Sequence, residues 1–128
     1  MNLIRCLAAL ASSVLPALVL AGPVRPYDAA ACDALTAGGK PVVVAVHASW
    51  CPTCRAQKPI QTQLMSSATF KDFTMFVVDF DKDTSVLKRF RVFRQSTIIV
   101  FRGKTEVGRS IGDTDPDSIK SLMLRAAS

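Results

Sequence analysis

Apolar residues fall along this chain in two rhythms. Residues 42–46 and 97–101 are nearly unbroken apolar runs, and residues 73–80 form a third that Thr74 and Asp79 interrupt. Short runs rich in Val, Ile and Phe predict strands buried on both faces. Around them the spacing is helical. Asp28 is placed to cap a helix over residues 29–37, which Gly38-Gly39 ends. Residues 52 to about 67 suit a helix with Pro52 in its first turn, where a missing N–H costs nothing. Pro59 lies inside that helix and predicts a kink. Asp83 is placed to cap a helix with Val86, Leu87 and Phe90 on one face. Arg102-Gly103-Lys104 reads as a turn that returns the chain through residues 105–111 as a hairpin partner. Asp115-Pro116 opens a last helix that turns Ile119, Leu122 and Met123 inward. Ahead of all these, Pro23-Val24-Arg25-Pro26 reads as an extended lead-in. The order helix, strand, helix, strand, helix, strand, strand, helix predicts an α/β fold, a mixed β-sheet sandwiched between helices. Its first strand–helix–strand unit should be parallel and right-handed.

The first residues follow a different pattern. One positive charge lies in residues 1–5, no charge in residues 6–21, and Val19-Leu20-Ala21 ends the stretch with small residues before Gly22. Basic, apolar and cleavable regions in that order predict a secretory signal peptide over residues 1–21, with one domain over 22–128. A retained membrane anchor fits less well, because Ser12, Ser13 and Pro16 break a run already short of the roughly 20 residues that span a bilayer. Membrane contact is therefore expected only through an uncleaved signal. The predicted location is periplasmic or secreted. Without Arg5 the chain's net charge of +6 becomes +5. Lys88, Arg89, Arg91, Arg94, Arg102 and Lys104 lie in one stretch without Asp or Glu. That stretch reads as a solvated basic face with a mild preference for acidic partner proteins. A nucleic-acid partner is not expected, since no recognition motif accompanies the charge.

Loss of the leader also removes Cys6 and leaves Cys32, Cys51 and Cys54. A pair two residues apart and one distant cysteine make a reactive pair and a bystander, not a stapling framework. Placement supports this. Cys51 follows a buried strand, and Cys54 sits one turn into the next helix. The helix start aims unpaired N–H groups and partial positive charge at the Cys51 sulfur, which favours a thiolate. Cys51 would attack a substrate disulfide and Cys54 would resolve the mixed disulfide. Arg55 and Lys58 add positive charge nearby. A zinc site would need two further ligands, for which only Cys32 and His47 are available. A structural disulfide would close a loop too short to constrain much.

Ala48-Ser49-Trp50-Cys51-Pro52-Thr53-Cys54, Pro59 eight residues after the first cysteine, and residues 90–101 together resemble the thioredoxin superfamily over nearly the whole of residues 22–128. The resemblance implies a thioredoxin-like mixed β-sheet between helices and an exported protein-disulfide oxidoreductase. It implies catalysis by Cys51 and Cys54, substrate contact by Trp50, Gln95, Ser96 and Thr97, and no dissociable cofactor or metal. It implies protein disulfide or dithiol substrates and a membrane or thioredoxin-type electron donor. Three departures stand out. Ser96 replaces the family's cis-proline, Ala45 replaces its buried aspartate, and Val77 replaces the lysine that pairs with it. A cis peptide before a non-proline residue costs about 2.5–4 kcal/mol, so the Gln95–Ser96 bond is expected to be trans. The Ser96 N–H or hydroxyl is expected near one of the sulfurs. His47 is a substitute candidate for the missing proton acceptor. Cys32 reads as a small buried hydrophobe. The alternative function is a metal-binding or metal-delivery module using Cys51 and Cys54, with or without His47.

Overall fold

The computed structural model describes residues 22–127; the predicted leader lies outside them. The described residues form β1 (Val24–Pro26), α1 (Ala29–Ala37), β2 (Pro41–His47), α2 (Pro52–Met65), β3 (Thr74–Asp79), α3 (Thr84–Arg89), β4 (Thr97–Arg102), β5 (Thr105–Ile111) and α4 (Pro116–Leu124), with one 3-10 turn at Ala68–Phe70. Their strands make a mixed sheet in the order β1-β3-β2-β4-β5. β2 and β3 are parallel, whereas β4 runs antiparallel to both β2 and β5. Every element expected from the pattern is present.

One more strand is present than the pattern predicts. The lead-in pairs parallel with β3, placing Val24 opposite Met75 and Pro26 opposite Val77. Three residues are too few for a period to show, and an edge strand tolerates proline because one of its sides needs no ladder donor. The caps divide as well. Asp28 accepts the Ala31 N–H at 2.8 Å, and Asp115 accepts those of Asp117 and Ser118 at 2.8 and 3.1 Å. Asp83 does not cap α3 with its side chain. Its carboxylate instead accepts the Asp79 N–H at 2.8 Å, while that of Asp79 accepts from Asp81 and Lys82. Local turn bonds have won the competition for these acceptors.

The sheet separates two cores. Val43, Ala45, Met75, Ile98 and Val100 pack with Met65 of α2, with Phe70 and Phe73, and with Ile119, Leu122 and Met123 of α4. On the other face, Val42, Val44, Val46, Phe76, Val78 and Ile99 pack with Cys32 of α1, and Val86, Leu87 and Phe90 lie against them. Side chains alternate along a strand, so β2 supplies both cores at once and must be apolar at every step.

Candidate active site

β2 stops at His47, and the chain passes through Ala48, Ser49 and Trp50 into α2. Cys51 is itself the N-cap of that helix, with extended backbone (φ −88°, ψ 111°), and Pro52 follows at its start. The Cys51 Sγ accepts the N–H of Cys54 at 3.1 Å. One donor that the first helical turn would leave unpaired is thus aimed at the sulfur. Both cysteines are free thiols, 1% and 2% exposed, with Ala48 and Phe80 packed against them. The Cys54 thiol faces the Val46 carbonyl, with 3.9 Å between sulfur and oxygen. Burial pushes the Cys54 thiol up, and Cys51 adds to this, while the backbones of Ala48 and Ser96 pull the other way. The two sulfurs thus differ in setting: Cys51 accepts the Cys54 N–H, and burial raises the Cys54 thiol.

The loop before β4 completes the site. The described residues contain no cis peptide, so Gln95–Ser96 is trans, and Ser96 sits in the left-handed region at φ +60°. A non-glycine residue pays about 1–2 kcal/mol for that conformation. Three hydrogen bonds to its backbone groups, two from the main chain and one from a side chain, hold it there. Ser96 N–H donates to the Val46 carbonyl at 2.9 Å, and the Ser96 carbonyl accepts from Gly112 N–H at 3.0 Å and from Gln57 Nε2 at 3.1 Å. The amide thus donates to the same Val46 carbonyl that the Cys54 thiol faces, not to a sulfur. The hydroxyl does not reach a sulfur and donates to Gln95 O at 2.5 Å. Thr97 is buried, its hydroxyl donating to Arg94 O at 2.7 Å, and Gln95 remains half-buried. Trp50 stays 54% exposed, with its indole N–H on the Asp81 carboxylate at 2.9 Å.

His47 lies elsewhere. With Lys58, Gln61, Thr62, Val24, Met75 and Val77 it lines a hollow of about 170 Å³. It shares the strand face of Ala45 and so meets α2 beyond Cys54. The polar neighbours of Cys54 are Val46, Ala48, Ser96 and Cys51, without His47. The structure does not bring this candidate base to the resolving thiol. Cys32 lies in the core on the far side of the sheet from α2. Among the described residues no three His, Cys, Asp or Glu side chains gather as they would around a metal ion. The four donors of a closed zinc site are thus not gathered among the described residues, while the two sulfurs of the metal-delivery alternative lie together.

One residue of the site escaped the sequence reading. Gln57 is only 2% exposed, and its Nε2 donates to Ser96 O and to Asp113 O at 3.1 and 2.8 Å. Its signal was available: it follows Cys54 by three residues, on the same face of α2. A polar side chain on an inward stripe needs partners.

A dithiol at the start of a helix, set at the end of a central strand and faced by the loop before an antiparallel strand, defines a disulfide oxidoreductase of the Cys-x-x-Cys type. The chain belongs to the thioredoxin family, whose model, described as Thioredoxin, matches residues 27–125. It is 33% identical over 91 residues to thioredoxin H2-1 of Oryza sativa subsp. japonica, covering 70% of this chain and 64% of that one, just under two thirds of its length. It is 31% identical over 91 residues to thioredoxin-2 of Saccharomyces cerevisiae, covering 71% and 85%. Among solved structures, Trxlp from Edwardsiella tarda EIB202 is similar with 41% identity and a TM-score of 0.76, over 78% of this chain and 97% of that one.

Proposed function

We propose that this chain is an extracytoplasmic protein thiol–disulfide oxidoreductase, with Cys51 as nucleophile and Cys54 as resolving thiol. The observation that carries the reading is the Cys54 N–H donated to the Cys51 sulfur at the N-cap of α2. The Cys51 thiolate attacks one sulfur of a protein disulfide, and the other leaves as a thiolate and takes a proton. Cys54 then loses its proton and attacks the Cys51 sulfur. The second substrate sulfur leaves, and a Cys51–Cys54 disulfide remains. Trp50 and the loop at Gln95 supply the contact surface, and a membrane or thioredoxin-type donor returns the dithiol. The extracytoplasmic setting is supported by the leader pattern of residues 1–21.

Two experiments test this. With a protein disulfide as substrate, Cys51→Ser should abolish exchange and Cys54→Ser should accumulate mixed disulfides, whereas Cys32→Ser should change little. Exchange surviving in Cys51→Ser would reject the assignment. Mass spectrometry of protein from the native host should show a chain starting at Gly22, and a soluble chain retaining Met1 would reject export.

A further inference from the structure

The clamp on Ser96 has its centre in α2, and it holds an amide beside the resolving thiol. The Gln57 amide nitrogen faces two carbonyl oxygens, Ser96 O at 3.1 Å and Asp113 O at 2.8 Å. Carbonyls only accept, so the NH2 end of the side chain must face them. One side chain thereby ties the loop before β4 and the loop before α4 to the helix that carries both cysteines. Gly112, at φ +73°, adds its own N–H to the same Ser96 carbonyl. Ser96 N–H in turn donates to Val46 O, the carbonyl that the Cys54 thiol also faces. Two donors thus share one acceptor, and one of them is the thiol that must lose its proton.

We propose that Gln57 is a positioning residue for the resolving step, holding the Ser96 amide where it can stabilise the thiolate of Cys54. This rests on the dithiol reading above. When Cys54 gives up its proton to solvent, its S–H no longer competes for Val46 O, and the sulfur becomes an acceptor next to the Ser96 N–H. A charge-assisted bond to the thiolate favours that form. Cys54 then attacks the Cys51 sulfur of the mixed disulfide, the Cys51–substrate bond breaks, and the departing substrate thiolate takes up a proton. Without Gln57, the Gly112 N–H and the Val46 carbonyl alone hold the Ser96 backbone, and its N–H is kept less firmly toward the sulfur. The backbone contribution of Ser96 to the Cys54 thiol, which favours the charged form, has the sign this requires.

The test compares wild type with Gln57→Leu and Gln57→Glu, using a preformed mixed disulfide on Cys51. Resolution should slow about five- to ten-fold in Gln57→Leu, and more in Gln57→Glu, which sets an acceptor against two carbonyls. The pH at which resolution is half-maximal should move upward, while alkylation of Cys51 in the reduced protein is unchanged. A resolution–pH profile that overlays wild type, with only the melting temperature lowered, would reduce Gln57 to a structural residue and overturn the proposal. If neither variant folds, the Ser96 amide proton in folded Cys51→Ser protein decides. Its chemical shift should follow the titration of Cys54, and a shift flat across that titration overturns the proposal. Wild type inert toward every protein disulfide would end the functional reading instead, and the amide titration would still decide this one.

Discussion

Ala45 and Val77 stand side by side on the parallel strands β2 and β3. In the family this chain resembles, an aspartate and a lysine take those places, so the two substitutions remove both members of one buried pair. Ala45 is 3% exposed and belongs to the core that Met65 and α4 cover. Losing both charges leaves an apolar contact, whereas losing one would strand the other. At this place in the sheet the dithiol has no carboxylate beneath it, and in the proposed mechanism the Cys54 proton leaves by another route.

Restoring only the carboxylate should be costly. Ala45→Asp should lose about 1–3 kcal/mol at pH 7, since a buried acid without a partner is poorly tolerated. Burial raises the pKa of such an acid, so the loss should shrink as pH falls below the raised value. Adding Val77→Lys should recover part of it. Urea midpoints at pH 7 and pH 5 report both effects, and unchanged midpoints in Ala45→Asp would mean that the site is wetter than its burial indicates.

Two thiols make the reduced protein sensitive to alkali. Burial raises Cys54, and Cys51 adds to this; burial also raises Cys32, with Arg89 opposing. In both, the folded state favours the neutral thiol. Their contribution is fully present below the unfolded thiol pKa, about 8.5, and is lost as pH rises through the higher folded values. Urea midpoints of the reduced protein should fall between about pH 8 and pH 10. Tyr27, also raised by burial first, adds to the fall at its upper end. Cys32→Ser should show a shallower decline, and parallel declines would remove Cys32 from the effect.

Gly22 has no room for a side chain. A Cβ there would lie 2.5 Å from both Phe70 O and Phe73 O, and 2.9 Å from Met65 Cε. Its N–H donates to Met65 O at 3.1 Å, which ties the start of the described chain to the end of α2. Backbone oxygens yield less readily than side chains. Gly22→Ala should therefore cost about 1–3 kcal/mol in urea unfolding. A midpoint equal to wild type would show that this segment detaches freely.

Trp50 is the single tryptophan of the chain, so its fluorescence reports on the site without interference. Asp81 accepts its indole N–H at 2.9 Å, in an exposed setting. Asp81→Ala should shift the emission spectrum and cost no more than about 1.5 kcal/mol of stability. An emission spectrum identical to wild type would show that the bond does not hold the ring in solution.

By itself the sequence determined the elements and the reactive pair. Apolar runs at residues 42–46 and 97–101, the caps Asp28 and Asp115, and Cys51-Pro52-Thr53-Cys54 all act through local rules: periodicity, a missing N–H, a three-residue helical step. The Ala45 and Val77 substitutions were readable as a matched pair only through the resemblance to the family, since the two residues meet across two strands. Tertiary structure alone decided the rest. Whether Pro23-Val24-Arg25-Pro26 became a strand depended on the exposed edge of β3, far along the chain. Asp83 lost its capping role because the Asp79 N–H was the nearer claim on its carboxylate. His47 looked close to the dithiol in sequence, but strand alternation sent it to a hollow against the middle of α2. Gln57 gained its place because Ser96 and Asp113, 39 and 56 residues away, present carbonyls that only folding brings together. Hydrogen bonds across such separations leave little mark on local pattern, since each partner's residue type satisfies many other arrangements equally well.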